Sequence, residues 1–189
     1  MAPTLVAPRL RLNSVPEALA WLRAQGARQI QIDSRRVQAG DAFLAWPGAA
    51  QDGRVFVGQA LAQGAVACLV DADAGGPHAV TVAAEANVVP VAAMPHLKAA
   101  AGPLAAAWHG HPSHDMAVVA VTGTNGKTST AWCLAQALAR LPAPWGRACG
   151  VMGTLGNGVF APDGGPAVLQ ATGLTTPDPI TLQLSLIHI

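Results

Sequence analysis

Residues 118–130 read Val-Val-Ala-Val-Thr-Gly-Thr-Asn-Gly-Lys-Thr-Ser-Thr, an apolar run that breaks into a glycine-punctuated turn carrying Lys127 and Thr128 and then into a helix-forming segment. Few folds accept this order. The run at 118–121 suits a buried parallel strand, Gly123 and Gly126 allow a tight turn with exposed backbone N–H groups, and residues 131–140 continue as a helix whose N-terminus attracts an anion. The pattern is that of a phosphate-binding loop. Lys127 is then placed to reach β/γ-phosphates and the Thr128 hydroxyl to ligate Mg²⁺. The loop is a short variant, because the position five residues before Gly126 is Val121 and not glycine. A glycine-rich turn with a solvated lysine is the plain alternative, and the flanking strand and helix patterns count against it.

Composition removes other classes. With 51% hydrophobic and 11% charged residues over 189 positions, the chain is built to bury a core as one large or two small domains. Net charge is +1 and only Arg35 and Arg36 are adjacent basic residues, so no nucleic-acid footprint is expected. The apolar stretches are short and broken by proline, and the N-terminus lacks a charged segment followed by a long apolar one. Neither a membrane span nor a signal peptide is expected, and the cytoplasm is the default compartment. Cys68, Cys133 and Cys149 have no CxxC spacing and read as small buried apolar residues. His109, His111 and His114 lie in a Gly/Pro-broken stretch without supporting carboxylates or cysteines, which favours a linker over a metal site.

Along the chain, residues 15–25 have helical spacing, with Ser14 as N-cap and Pro16 in the first turn. Strands are expected at 29–33, 42–46, 67–71, 78–82 and 88–91, and a helix at 57–63. This alternation predicts an α/β layer domain. Residues 97–108 are alanine-rich and helical apart from Gly102-Pro103. The domain boundary is expected near residues 94–95, giving a small N-terminal α/β domain over 1–94 and a phosphate-loop α/β domain over 95–189, with that helix in the second. The second domain reads as incomplete: after the loop helix only strands at 148–153 and 167–171 and the segment Thr172-Gly173-Leu174-Thr175-Thr176-Pro177-Asp178-Pro179 are visible.

Several motifs occur in a fixed order: Asp33-Ser34-Arg35, Ala39-Gly40-Asp41-Ala42-Phe43, Gln51-Asp52-Gly53-Arg54, Gly123-Thr124-Asn125-Gly126-Lys127-Thr128, Met152-Gly153-Thr154 and Thr175-Thr176-Pro177. Each is weak alone. Together, from about residue 30 to residue 183, they resemble the Mur ligase family, and within it the members that add the third amino acid of the peptidoglycan stem peptide.

The resemblance implies roles position by position. Ile32 and Ser34 fall where the family's N-terminal domain holds a UDP-muramoyl substrate, and Ala49, Ala50 and Gln51 occupy a loop lining the same pocket. Asp33-Ser34-Arg35 is equally the composition of a strand-ending turn. Gly123, Thr124, Asn125, Gly126, Lys127, Thr128 and Ser129 match the ATP-binding loop, with Lys127 the residue that offsets charge on the transferring phosphoryl group and Thr128 a magnesium ligand. Thr175 and Thr176 match a pair that contacts the muramoyl-peptide part of the substrate and helps line the magnesium site. A helix N-terminus capped by Thr176 or Asp178, with Pro179 in its first turn, is compatible with that role.

The implied activity is ATP-dependent amide formation through an acyl phosphate, between UDP-N-acetylmuramoyl-dipeptide and a diamino acid, diaminopimelate or lysine, by an enzyme that is a cytoplasmic monomer at full length. The family's remaining central-domain ligands and its C-terminal domain have no counterpart here, and residues 185–189 do not resemble the continuation expected after Leu182-Gln183. An N-terminal fragment, inactive by itself and ending in foreign residues, is the resulting expectation. A related ligase of the folylpolyglutamate type and a non-catalytic nucleotide-sugar-binding module are the alternatives.

Overall fold

The computed structural model describes residues 10–49, 51–72, 90–142, 148–162 and 177–187. The chain divides into two compact units, Met1–Trp108 and His109–Ile189.

The first unit is organised by two strands that are apolar on both faces, β3 (Ala42–Ala45) and β4 (Ala67–Asp71). Such strands need a sheet covered on both sides, the usual setting of parallel sheets. Here β1 (Leu10–Arg11), β2 (Ile30–Gln31) and β5 (Val91–Met94) complete a five-stranded sheet of order β1-β5-β4-β3-β2, parallel throughout. Successive side chains alternate between the faces. Phe43, Ala45, Cys68 and Val70 meet Val57 and Ala60 of α2 (Val57–Ala62) on one face. Ala42, Leu44, Leu69, Ala92 and Met94 are buried on the other. That face takes α1 (Val15–Ala24) and α3 (Leu97–Trp108), which pack on each other and, through α3, on β4. The edge strands β1 and β2 are two residues each, which limits the open hydrogen-bonding edge.

Helix α1 starts as its sequence requires: the Ser14 hydroxyl accepts from Glu17 N, and the Glu17 carboxylate accepts from Asn13 N at 3.0 Å. The expected strands at 29–33, 42–46 and 67–71 are present with small changes of bounds. Residues 88–91 are shifted, the strand running Val91–Met94, and the expected strands at 78–82 and 167–171 lie outside the described residues.

Two expectations are corrected. Helix α3 is continuous through Gly102-Pro103 and belongs to the first unit, so the division falls after Trp108 and not near residues 94–95. An interior proline costs about 3 kcal/mol. Burial of Leu97, Ala101, Leu104 and Ala105 against α1 and the sheet outweighs it, and Arg23 of α1 lies 5.9 Å from the Trp108 ring. The cysteines also differ from one another. Cys68 is buried, and its surroundings push the thiol up to about 12, whereas Cys149 is half-buried and Cys133 exposed.

In the second unit, α4 (Lys127–Ala139) packs on an antiparallel hairpin of β6 (Cys149–Gly153) and β7 (Gly156–Phe160). Trp132 meets Phe160 edge-on at 4.8 Å, with Ala135 and Ala139 buried beside them. Strand β7 is absent from the sequence expectations because Gly-Asn-Gly-Val-Phe has no alternation; its partner β6 supplies the order. The expected strand at 118–121 does not form, and Val118 and Val119 are 64% and 63% exposed. A Val-Val-Ala-Val run becomes a strand only beside another, and among the described residues of this unit the only sheet is the hairpin. Helix α5 (Pro179–Leu186) is capped by Asp178, whose carboxylate accepts from Ile180 N and Thr181 N at 3.0 and 2.9 Å, with Pro179 in the first turn as expected.

Leu104→Ala tests the placement of α3. Removing this fully buried side chain costs about 2–5 kcal/mol. Hydrogen exchange should accelerate in β3 and β4 and stay unchanged in β6 and β7; the reverse pattern would return the helix to the second unit.

Candidate functional site

In a parallel sheet all strand ends of one kind lie together, and open α/β sheets bind ligands beyond their carboxyl ends. Ile32 and Ser34 follow β2, and Ala49 and Gln51 follow β3, at that end of the first unit. Four of the residues singled out from sequence thus share one edge. Ala50, Thr175 and Thr176 lie outside the described residues.

The turn after β2 is a 3-10 helix over Ser34–Arg36 capped by Asp33. Asp33 accepts from Arg35 N at 3.0 Å and takes a two-pronged bond from the Arg35 guanidinium, Nε at 2.9 Å and Nη2 at 2.7 Å. That guanidinium holds the Asp33 carboxyl below its ordinary value, against the opposing effect of partial burial. Ile32 is half-buried. Ser34 is buried, and its hydroxyl donates to Gln59 Oε1 on α2 at 3.0 Å. With the Gln63 amide oriented to satisfy its neighbours, its nitrogen donates to the carbonyls of Ser34 and Val37. The turn is therefore clamped from α2. Sequence reasoning missed Gln59 and Gln63; the available signal was their spacing of four, which places both on one helix face.

The loop after β3 repeats the arrangement. Asp52 caps a 3-10 helix over Gly53–Phe56, accepting from Arg54 N, and Arg54 donates to it through Nε at 3.0 Å and Nη2 at 2.7 Å. Ala49 and Gln51 are exposed within this loop, while the Arg54 side chain is buried.

The loop expected to bind phosphate stands in the second unit. Gly123 and Gly126 have φ of +142° and +76°, conformations that favour glycine, and Gly126 is the N-cap of α4. The first helical bond runs from Thr130 N to Gly126 O at 2.9 Å, so the N–H groups of Lys127, Thr128 and Ser129 precede it and face outward from the helix start. Residues 122–126 are exposed. The Lys127 ammonium donates to Gly123 O at 2.5 Å and Thr124 O at 3.3 Å, lying across the loop it closes. The helix begins at Lys127, four residues earlier than expected, which places Thr128 and Ser129 in its first turn. These groups suit a phosphate: outward N–H groups, a cation and a helix N-terminus. For a magnesium ion the chain offers the Thr128 hydroxyl, a donor set that fits a metal held mainly by phosphate oxygens and water. Among the described residues no three His, Cys, Asp or Glu side chains assemble as a ligand set; the His111 and His114 rings stack at 4.8 Å.

Residues 27–109 match the model of the Mur ligase family, catalytic domain, and residues 121–189 match that of the Mur ligase middle domain. The chain belongs to the Mur ligase family. It is 50% identical over 177 residues to the UDP-N-acetylmuramoyl-L-alanyl-D-glutamate–2,6-diaminopimelate ligase of Acidovorax sp. (strain JS42), covering 91% of this chain and 32% of that protein. The ligase of the same name from Janthinobacterium sp. (strain Marseille) is 42% identical over 181 residues, covering 95% and 34%. This Mur ligase chain thus spans about a third of the length of the curated relatives it matches. A solved structure of a ligase of that name aligns with TM-score 0.51 and 24% identity over 85% of this chain and 28% of its own, a likeness of fold.

Titration of Asp33 tests the turn. The Arg35 guanidinium lowers its folded value from the ordinary one, so the pair's stabilisation is present above the unfolded value and is lost as pH falls through the folded one. Carboxyl carbon shifts should give a midpoint below that of an aspartate in the unfolded chain, and a midpoint at or above it would show the Asp33–Arg35 pair to be open in solution.

Proposed function

We propose that this chain carries the substrate-holding unit and the phosphate loop of an ATP-dependent amide ligase acting on UDP-N-acetylmuramoyl-L-alanyl-D-glutamate. The observation that carries the reading is the glycine-bounded loop at the start of α4, with Lys127 across it, on the same chain as an α/β unit whose carboxyl-end turns contain Ser34 and Gln51. The identity to relatives named for diaminopimelate addition supports that substrate pair and, with it, the cytoplasm as the compartment. Among the described residues no helix is long and apolar enough to cross a membrane.

A carboxylate is a poor electrophile at neutral pH, so amide formation requires activation. In the proposed reaction the γ-phosphoryl group of ATP passes to the glutamyl carboxylate, releasing ADP, and the amine of the diamino acid then displaces phosphate and loses a proton. No side-chain nucleophile is required. The chain's share is positioning and charge neutralisation. Lys127 leaves the carbonyls of Gly123 and Thr124 to face β/γ-phosphate oxygens, and the amides at the start of α4 receive the anion. Thr128, with Ser129 beside it, holds the magnesium ion, whose chemistry when bound is to offset charge on the transferring group. Ile32, Ser34, Ala49, Ala50 and Gln51 hold the nucleotide-sugar end of the substrate, and Thr175 and Thr176 its muramoyl-peptide part.

Lys127→Ala in the 189-residue chain is the test. It should weaken Mg·ATP binding by at least tenfold, the loss of about 1.4 kcal/mol, and leave affinity for the UDP-muramoyl-dipeptide unchanged. Equal loss of both ligands would make Lys127 structural. Supplied with ATP, Mg²⁺, the dipeptide precursor and diaminopimelate, the 189-residue chain should form no amide product, because orientation of the reactants contributes as much as about 7–11 kcal/mol and no residue of the proposed sites orients the amine. Product formation would contradict that division of labour.

A further inference from the structure

The two Asp-x-Arg turns of the first unit share the aspartate cap and the two-pronged arginine contact and differ in burial. In Asp33–Arg35 the arginine side chain is 81% exposed, whereas in Asp52–Arg54 the two side chains are 7% and 15% exposed for arginine and aspartate respectively. Exposed pairs contribute little, and a buried pair is no better for stability than apolar side chains of the same size. What a buried two-pronged pair does supply is a fixed geometry, since removing one partner strands the other.

That geometry is imposed on a loop already pressed against itself. Gly48 N donates to Gln51 O at 2.9 Å, Gly53 N donates to Trp46 O at 3.0 Å, and Pro47 bridges Asp52. A Cβ on Gly48 would stand 2.8 Å from Gln51 O, and one on Gly53 would stand 2.9 Å from Trp46 O. Asp71, at the end of β4, adds its negative charge to that of Asp52 in favouring the Arg54 cation. Ala49 and Gln51, the exposed residues assigned to the substrate, sit within the span so closed.

We propose that the Asp52–Arg54 pair is a positioning element for substrate binding: it holds Trp46, Pro47, Gly48 and Gly53 in the one arrangement in which Ala49 and Gln51 meet the nucleotide-sugar. The inference rests on the substrate reading given above and names the side chains that set the shape of that pocket wall. Lysine cannot replace Arg54, because a point charge does not reproduce the planar two-pronged contact.

The test is calorimetric titration of the 189-residue chain with UDP-N-acetylmuramoyl-L-alanyl-D-glutamate, at a temperature where circular dichroism shows each variant fully folded. Arg54→Lys and Asp52→Asn should each weaken binding by about ten- to a hundredfold through misplacement of the loop, while Mg·ATP affinity in the second unit is unchanged. Asn keeps the turn's cap, so Asp52→Asn decides the matter if Arg54→Lys fails to fold. A merely structural role lowers the melting temperature and leaves the affinity of the folded variant at the wild-type value, and that result would overturn the proposal. Absence of binding by the wild-type chain would instead overturn the substrate reading, and this inference with it.

Discussion

Burial of β3 and β4 on both faces is the constraint on which the first unit depends. Because Phe43, Leu44, Leu69 and Val70 all need cover, the sheet must be flanked on both sides, by α2 on one and by α1 with α3 on the other, and the helical crossovers that do so leave its strands parallel. A parallel sheet brings the carboxyl ends of its strands to one edge. The turns carrying Asp33, Asp52 and Asp71 therefore converge without any dedicated device. Each of the first two is then shaped locally, by an aspartate that caps a 3-10 turn and clasps the arginine two residues on. Packing supplies the place, and short-range hydrogen bonding supplies the form.

The second unit rests on a smaller apolar contact, in which α4 and the β6–β7 hairpin meet through Trp132, Ala135, Ala139 and Phe160. Val118 and Val119 are left in solvent, and Leu134, Leu138 and Leu155 are also exposed. The phosphate loop nevertheless keeps its shape, because two glycines at positive φ, the helix start and the Lys127 ammonium are all local to residues 123–130. Loop geometry of this kind is encoded by sequence neighbours. The strand ahead of it is encoded by partners.

That difference explains what the sequence disclosed. Ser14, Asp178 and Pro179 mark helix starts through bonds within four residues, and all three were legible. The bounds of β4 and α3 were legible as well, since one is a continuous apolar run and the other an alanine-rich stretch, although Gly102-Pro103 hid the continuity of the helix. The unit to which α3 belongs was not, because its partner α1 is some seventy residues away in sequence. Strand β7 was hidden by its glycines, and the exposure of residues 118–120 by an apolar pattern that promises burial without naming a neighbour. At the site, the motif Asp33-Ser34-Arg35 was legible as a turn and as a family signature together. The hydrogen bond from Ser34 to Gln59 was not, since nothing in an exposed helical glutamine announces its partner.

In the proposed function one chain carries two separate binding sites, one for a nucleotide-sugar at the carboxyl edge of the first unit and one for a triphosphate at the start of α4. Amide chemical-shift mapping of the 189-residue chain measures this most directly, with UDP-N-acetylmuramoyl-L-alanyl-D-glutamate and Mg·ATP added in separate titrations. The first ligand should perturb residues 32–35 and 46–54 and leave 123–130 unmoved, and the second should perturb residues 123–130 and leave the first unit's edge unmoved. Perturbation of the same set by both ligands, or of neither set by either, would contradict it.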